Sequence, residues 1–332
     1  LFEEYQSAIS MMGFSGIHMD TYGFPKTAYS HLDAIPKKIK LEDELPTLID
    51  ETRENVHGEE EPYLIFNNVG AWPVQRTADR KQDAVYIEVW PPYDRYASIA
   101  QLIRDARTYA KDDKSTILAA YLKPFREGKR EKALPAAKLL MGSIVSNGAT
   151  HLLTGENQTA LTQGYYSDYT KFSDSEAEAI RRYYDYMIRY ENLFFDPELQ
   201  DVTMTHTGWD NYEYQCTSHK VSSYGEAGKI WMLLREKDYR KCIYLLNLCG
   251  QSEDYWNEGK EEPDTQKDIK FTVQVDTPVE RICFSTPDGE NMDAVELHFT
   301  EKTTKTGKFI DFTVPSLNYW TTIWIDTRKE TI

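Results

Sequence analysis

The sequence predicts an α/β domain built on a parallel sheet, followed by an all-β domain. In the first 200 residues, short apolar segments with the period of strands alternate with amphipathic helical segments, which is the rhythm of right-handed βαβ crossovers. From about residue 228 the helical period disappears, and short alternating strands separated by turns such as Pro287-Asp288-Gly289 are predicted over 230–234, 242–248, 271–275, 281–284, 294–299, 309–314 and 320–325. This second pattern favours an antiparallel β-sandwich of about 100 residues.

Five segments of the first domain are typical of buried parallel strands. They cover residues 13–20, 63–68, 84–90, 116–121 and 149–154, and helices are predicted over 1–12, 41–45, 48–56, 96–110, 135–146 and from the capping box at 173–176 to about 192. Strands and helices that alternate in this way can form an open doubly wound sheet, although the sequence lacks the glycine-rich turns that bind nucleotides in such sheets. The carboxyl ends of parallel strands meet at one edge, where α/β proteins carry their active sites.

The first of these strands ends in an acidic residue. With a period of two, His18 and Asp20 share one face, and Gly23 and Pro25 force a loop directly afterwards. Asp20 is therefore expected at the carboxyl end of its strand, as a candidate catalytic group. The alternative for a single aspartate in this position is a cap on the following helix.

The third strand carries a second acidic residue at its end. Along 84–90 every second residue is Val or Ile, and the other face carries Tyr86, Glu88 and Trp90. A glutamate is a poor strand residue, and burying it without a partner is costly, so this face is expected to be special. Two strand-end carboxylates beside an aromatic ring are the minimum set for acid/base or covalent chemistry on a glycosidic bond. The alternative is a Glu88 paired with a buried Arg or Lys.

These residues carry a resemblance to glycoside hydrolase family 66, which contains dextranases and cycloisomaltooligosaccharide glucanotransferases. The Gly-Phe-Ser-Gly-x-x-x-Asp-Thr-x-Gly stretch around Asp20 and the Tyr-Ile-Glu-Val-Trp-Pro-Pro stretch around Glu88 are similar to motifs of that family. The segment 182–193 is also similar to the helix that follows the family's barrel. The resemblance extends to about residue 200. It implies a (β/α)8 barrel in which Asp20, after strand four, is the nucleophile and Glu88, on strand six, is the acid/base.

In that barrel the five strands of this chain correspond to strands four to eight. The resemblance therefore implies that the N-terminal half of the barrel comes from another segment or chain, and that the isolated chain is poorly active. Residues 1–200 are predicted to form the C-terminal half-barrel with its following helix, 201–227 a connection and 228–332 the β-sandwich. An open edge would leave Phe14, Gly16 and His18 without partners on one side.

Composition narrows the class of ligand. The net charge of −16 makes nucleic acid and anionic membranes unsuitable partners, whereas a neutral polymer is compatible with it. The 23 tyrosines and 7 tryptophans offer flat apolar platforms for sugar rings, although many are also expected at the edge of the core.

No apolar run reaches membrane-spanning length. The four cysteines show no metal-binding spacing and are predicted as buried apolar residues, with one disulfide as an alternative, and neither a metal nor a cofactor is called for.

Further candidate sugar contacts follow successive strand ends in the sequence. As a set they are expected to line a cleft where the carboxyl-terminal loops converge. They are His18, Asn68, Trp90, Tyr93, Glu156 and Tyr165. A hydrogen-bonded interior residue is the alternative for His18.

The resemblance implies a retaining hydrolase that cuts α-1,6-glucosidic linkages inside dextran-like glucans, in a secreted, periplasmic or cell-surface location. One alternative is the cyclising transglycosylase of the same family. Those enzymes look distinguished by a carbohydrate-binding module inserted after the seventh strand, where this chain has only the short charged segment 123–134, so hydrolysis is favoured. A second alternative is a glucan-binding protein that does not cut.

Overall fold

A computed structural model of the chain describes residues 1–21, 26–32, 34–111, 114–164, 170–208 and 210–328. By internal contacts the chain divides into two compact units. The first comprises Leu1–Tyr93, Gln101–Ala120 and Ala149–Leu152, and the second comprises Asp94–Ala100, Tyr121–Gly148 and Leu153–Ile332. This division does not coincide with the predicted boundaries at residues 200 and 227, which stay predictions.

The first half of the chain holds the alternating strands and helices that the sequence predicts. In chain order its elements are α1 Phe2–Met12, β1 Gly16–Met19, β2 Thr27–Ser30, β3 Lys37–Lys40, α2 Leu41–Asn55, β4 Tyr63–Val69, α3 Val74–Thr77, β5 Ala84–Glu88, α4 Tyr96–Tyr109, β6 Ser115–Ala119, α5 Ala133–Ser146 and β7 Ala149–His151. The two helical segments predicted over 41–56 are one helix, α2, with Pro46 inside it.

The second half is dominated by strands. Its elements are β8 Thr154–Gly155, β9 Thr159–Ala160, β10 Thr170–Lys171, α6 Asp174–Arg189, α7 Glu191–Phe194, β11 Gln200–Asp201, α8 Thr203–His206, β12 Tyr214–Cys216, β13 Val221–Ser222, β14 Ile230–Lys237, β15 Arg240–Asn247, β16 Gln266–Gln274, β17 Val279–Ser285, β18 Val295–Glu296, β19 Phe299–Thr304, β20 Gly307–Leu317 and β21 Trp320–Thr327. Within the described residues, no helix is both long and apolar enough to cross a membrane.

Five parallel strands form the sheet of the first unit, in the order β1-β4-β5-β6-β7. On one face Met19, Leu64 and Phe66 pack against Leu45 and Ile49 of α2 in a common apolar cluster. This is the arrangement expected of a parallel sheet covered by helices.

The other face of the sheet is much more open, and His18, Tyr63 and Ser115 are exposed on it. Among the described residues β1 pairs with β4 alone, so it is an edge strand, as the sequence predicted for Gly16 and His18. The five strands form an open sheet and no closed barrel, so the eight-stranded barrel stays a prediction.

The segment after β1 differs from the prediction. Apart from the helical segments within 41–56, the sequence predicts no regular element between residues 24 and 61, but strands β2 and β3 form an antiparallel hairpin there. Neither strand has an apolar face, because the hairpin reads Thr-Ala-Tyr-Ser and Lys-Lys-Ile-Lys. Hydrophobic periodicity therefore gives no signal for it.

Two sheets of the second unit share one apolar core. Strands β11, β14, β15, β21, β17 and β18, with β13 beside β14, form the larger sheet, and β12, β16, β20 and β19 form the smaller one. Their common core includes Ile230, Leu245, Phe271, Ile310 and Ile323. The strand predicted over 294–299 is wrong as a single strand, because β18 belongs to the larger sheet and β19 starts in the smaller one.

Local signals in the second unit agree with the sequence. The capping box is present, since Ser173 Oγ accepts from the Glu176 amide at 3.3 Å and Glu176 Oε2 accepts from the Ser173 amide at 2.8 Å. Arg130 also donates to both Glu176 oxygens, at 2.9 and 2.6 Å. All four cysteines are free thiols, so the alternative of a disulfide is not observed.

His151 in β7 makes the stability of the first unit depend on pH. The residue is 1% exposed, and its Nε2 lies 2.9 Å from the carbonyl oxygen of Ala120. Burial lowers the pKa of His151 from 6.5 to about 4. As pH falls from 6.5, the unfolded chain takes up a proton that the folded chain excludes, so stability present above pH 6.5 is lost as pH approaches 4. The full loss amounts to about 3 kcal/mol.

We expect a His151→Gln variant to lose less unfolding free energy than the native protein between pH 7 and pH 4.5. Denaturant unfolding at a series of pH values measures both proteins, and the carboxylates that titrate in this range are common to the two. Equal slopes against pH for the two proteins would contradict the assignment to His151.

Candidate active site

The two candidate carboxylates stand at the ends of strands that flank β4. Glu88 is the last residue of β5 and is 9% exposed, whereas Asp20 directly follows β1 and is exposed. In the ladder Met19 pairs with Phe66, and Asn67 pairs with Tyr86. The period of two then brings Asp20, Asn67 and Glu88 to the same face and the same edge of the sheet.

The side chain of Asn67 connects the two carboxylates. Its Nδ2 donates to Asp20 Oδ1 at 2.9 Å and to Glu88 Oε2 at 3.3 Å. Because both distances are measured from one nitrogen, the two contacted oxygens lie no more than about 6 Å apart. The two carboxyl groups are therefore close together, as retaining glycosidases require with their separation of about 5–5.5 Å.

Close contact between backbones holds β1 in this position. A Cβ atom on Gly16 would lie 2.3 Å from the carbonyl oxygen of Tyr63 in β4, so a larger residue would push the two strands apart. The strand that ends at Asp20 therefore needs a glycine at its start.

Neither alternative role for the carboxylates is observed. Asp20 Oδ1 accepts from the amide of Thr21 at 2.9 Å, but α2, the next helix that the structure describes, has Lys40 at its N-cap. Glu88 forms no ion pair with any Lys or Arg in the described ranges, and its hydrogen-bond donor there is Asn67. Both carboxylates are thus available for chemistry.

His18 lies on the same face as the two carboxylates. Its ring meets that of Tyr86 edge-on, with 4.6 Å between the centroids. Although the residue as a whole is exposed, partial burial of the ring lowers the pKa of His18 below its ordinary value of 6.5, against the opposing effect of the Asp20 and Glu88 carboxylates. The imidazole is therefore neutral at pH 7 and can both donate and accept a hydrogen bond.

The loops after β4 and β5 meet beside Glu88. The amide of Gly70 donates to the carbonyl oxygen of Glu88 at 2.8 Å, and Gly70 has a φ of 61°, which a glycine adopts without strain. Trp90 and Tyr93 are half-buried in the following turn, in which the Tyr93 amide donates to the Trp90 carbonyl oxygen at 3.1 Å. Both aromatic residues thus lie within five residues of Glu88 in the sequence.

Asn68 lies away from this face, in contrast to its predicted role as a sugar contact. It is fully buried, and its Nδ2 donates to the carbonyl oxygens of Tyr86 at 2.8 Å and Phe66 at 3.2 Å. Thr77 Oγ1 donates to Asn68 Oδ1 at 2.6 Å. Asn67, which the sequence reasoning missed, faces the carboxylates instead, and the continuous apolar run of residues 63–66 has no alternation that could have indicated this.

Of the last two predicted contacts, Glu156 is not part of the first unit. Glu156 is exposed in the tight turn between β8 and β9, where its carbonyl oxygen accepts from Thr159 Oγ1 at 2.7 Å. Tyr165 lies outside the described residues. Both stay predictions. The described residues contain no group of three His, Cys, Asp or Glu side chains that could hold a metal ion.

Comparison with known proteins finds relatives of this chain. Two curated cycloisomaltooligosaccharide glucanotransferases of Niallia circulans are 28% identical over 193 residues and 26% identical over 191 residues. Each match covers 57% of this chain and 19% of the relative, so the chain spans about a fifth of the length of these curated relatives.

A solved structure extends the similarity to the fold. It is a Paenibacillus sp. cycloisomaltooligosaccharide glucanotransferase complexed with cycloisomaltoheptaose, and it matches with a TM-score of 0.86 at 16% identity. The match covers 97% of this chain and 64% of that one, which shows a shared fold. The model of glycosyl hydrolase family 66 matches residues 1–324. The chain therefore belongs to glycosyl hydrolase family 66.

Proposed function

We propose that this chain supplies the catalytic pair of a retaining glycosidase that hydrolyses α-1,6-linked glucans. The observation that supports this most is the single Asn67 nitrogen that contacts both Asp20 and Glu88, because a retaining reaction needs two carboxyl groups held close together. The α-1,6-glucan class is supported by the names of the relatives and by the cycloisomaltoheptaose bound to one of them.

In the proposed reaction Asp20 attacks the anomeric carbon. The bond from that carbon to the glycosidic oxygen breaks, and Glu88 gives its proton to the departing oxygen, which leaves a glucosyl ester on Asp20. Glu88, now a carboxylate, then removes a proton from a water molecule that attacks the same carbon. The ester bond breaks, the sugar leaves with its anomeric configuration retained, and both side chains return to their first state.

His18, Trp90 and Tyr93 are the proposed sugar contacts in the first unit. A neutral imidazole beside the carboxylates can exchange hydrogen bonds with sugar hydroxyls, and the aromatic rings offer apolar faces for stacking. Glu156 and Tyr165 keep their proposed role on the strength of their position after the last strand of the sequence pattern.

The second candidate is a cyclising transglycosylase, in which a hydroxyl of the same glucan replaces water in the second step. The names of the relatives favour it. The short connection between β6 and α5, which contains two 3₁₀ turns at Lys123–Phe125 and Arg130–Lys132, favours hydrolysis instead. The two candidates share Asp20 and Glu88 and differ only in the acceptor.

Replacing either carboxylate should abolish cleavage of dextran, and azide should restore activity to each variant with a different anomeric product. We expect Asp20→Gly and Glu88→Gln in the intact protein to lower kcat/KM by at least about 10³-fold. Azide should rescue Asp20→Gly on an α-glucosyl fluoride substrate with inversion to a β-glucosyl azide. With Glu88→Gln it should give the α-glucosyl azide, because azide replaces water in the second step.

The matched control is Glu54→Gln, whose carboxylate pairs with Lys81 on the surface of the same unit. It should leave kcat/KM unchanged. Rescue of both active-site variants with the same anomeric configuration, or activity of Asp20→Gly equal to that of the control, would contradict the assigned roles.

The acceptor in the second step is tested by the products from dextran. Hydrolysis should create one reducing end for each linkage cut, and each new end should carry oxygen from ¹⁸O-labelled water. Cyclic products without a gain in reducing ends would support the second candidate in place of the first. Binding of dextran with no cleavage at all would contradict both and favour a non-catalytic glucan-binding protein.

A further inference from the structure

We propose that Asn67 is a positioning residue that selects which oxygen of each carboxylate reacts, leaving Asp20 Oδ2 to attack and Glu88 Oε1 to transfer the proton. This inference rests on the proposed function, because it assigns the reacting atoms within that same pair. Asn67 itself contacts neither the bond that forms nor the bond that breaks.

The hydrogen-bond inventory of the site leads to this assignment. A primary amide has two N–H groups, and here one is directed to each carboxylate, at 2.9 Å to Asp20 Oδ1 and 3.3 Å to Glu88 Oε2. Asp20 Oδ1 also accepts from the Thr21 amide. Over the described ranges, neither Asp20 Oδ2 nor Glu88 Oε1 accepts a hydrogen bond. Each carboxylate thus keeps one engaged and one free oxygen.

The amide is held in this orientation by electrostatics. Rotating it by half a turn would place Oδ1 against the Asp20 carboxylate, which is repulsive. Its position is fixed as well, because Asn67 is 8% exposed in a strand with a neighbour on either side, β1 and β5. The direction of the two N–H groups therefore determines the direction of both carboxylates.

The other end of the amide supports a functional reason for its presence. Asn67 Oδ1 is buried and accepts no hydrogen bond from any described residue. A buried acceptor without a donor is costly, and such atoms are rare in folded proteins. In contrast, the neighbouring Asn68 has partners for both ends of its amide. Asn67 is thus a poor residue for the stability of the fold but a suitable one for aligning two carboxylates.

The assignment also follows Asp20 through both steps. The ester forms at Oδ2, and Oδ1 becomes its carbonyl oxygen while it remains hydrogen-bonded to Asn67 and Thr21. When the ester breaks, negative charge returns to Asp20 and these two donors stabilise it. In the first step the contribution of Asn67 is orientation, in which a displacement of about 1 Å can cost 10²-fold in rate.

The test compares Asn67→Leu with Asn68→Leu, two changes of the same residue type on opposite faces of β4. Two substrates are used, dextran and an α-glucosyl fluoride, whose leaving group needs little protonation. For Asn67→Leu we expect kcat/KM to fall about 10²-fold on dextran and about 10-fold on the fluoride. The loss is smaller on the fluoride because fluoride departs without a proton from Glu88, so that only the misplacement of Asp20 lowers the rate. The KM for dextran should change less than twofold.

Asn68→Leu removes three hydrogen bonds on the helix-facing side. It should lower Tm and leave the ratio of the two kcat/KM values unchanged. If Asn67→Leu also leaves this ratio unchanged and its activity simply follows its Tm, Asn67 has only a structural role and the inference is overturned.

Crystal structures of the native protein and of Asn67→Leu separate this inference from the proposed function. If the native protein cleaves neither substrate, the proposed function fails, but the carboxyl groups can still be compared. Rotation of the Asp20 or Glu88 carboxyl group in the variant supports the positioning role of Asn67, and unchanged carboxyl groups overturn it.

Discussion

The first unit is arranged around one amide, that of Asn67, which contacts both carboxyl groups of the candidate site. In the proposed reaction only one of the two groups is ionised at a time, because Glu88 holds its proton while Asp20 is a carboxylate and loses it as Asp20 forms the ester. A hydrogen bond to a charged group contributes about 1.5–3 kcal/mol, so Asn67 has a donor that stabilises whichever group carries the charge. The parallel register of β1, β4 and β5 supplies the geometry, since it brings the three residues to one strand edge.

Much of the candidate site could be predicted from the sequence, because the period of the strands and the chemistry of the residues point to the same positions. Asp20 and Glu88 could be identified since each is an acidic residue at the end of an apolar strand, and His18 follows from the same period. Asn67 could not be chosen over Asn68 from strand ends alone. The choice depends on which face the helices cover, and that depends on long-range packing rather than on local propensity.

The same distinction applies to the fold. Elements with a strong apolar period, such as β4, β5, α4 and the strands around Ile230 and Ile323, lie close to their predicted positions. The β2–β3 hairpin lacks an apolar face, and the segment 294–299 divides between two sheets, so neither could be read from periodicity. Nor could a pattern reveal how far burial would lower the pKa of His151, because that shift depends on the surrounding packing.

The central claim is that Asp20 forms a covalent bond to the sugar, and trapping that intermediate tests it most directly. The intact protein with Glu88→Gln should accept glucose from an α-glucosyl fluoride but release it slowly, so that the ester accumulates. Peptide mass spectrometry should then find one glucosyl group on Asp20, and none in a variant that also carries Asp20→Asn. A sugar on another carboxylate, or no covalent product while the fluoride is consumed with inverted configuration, would contradict the account.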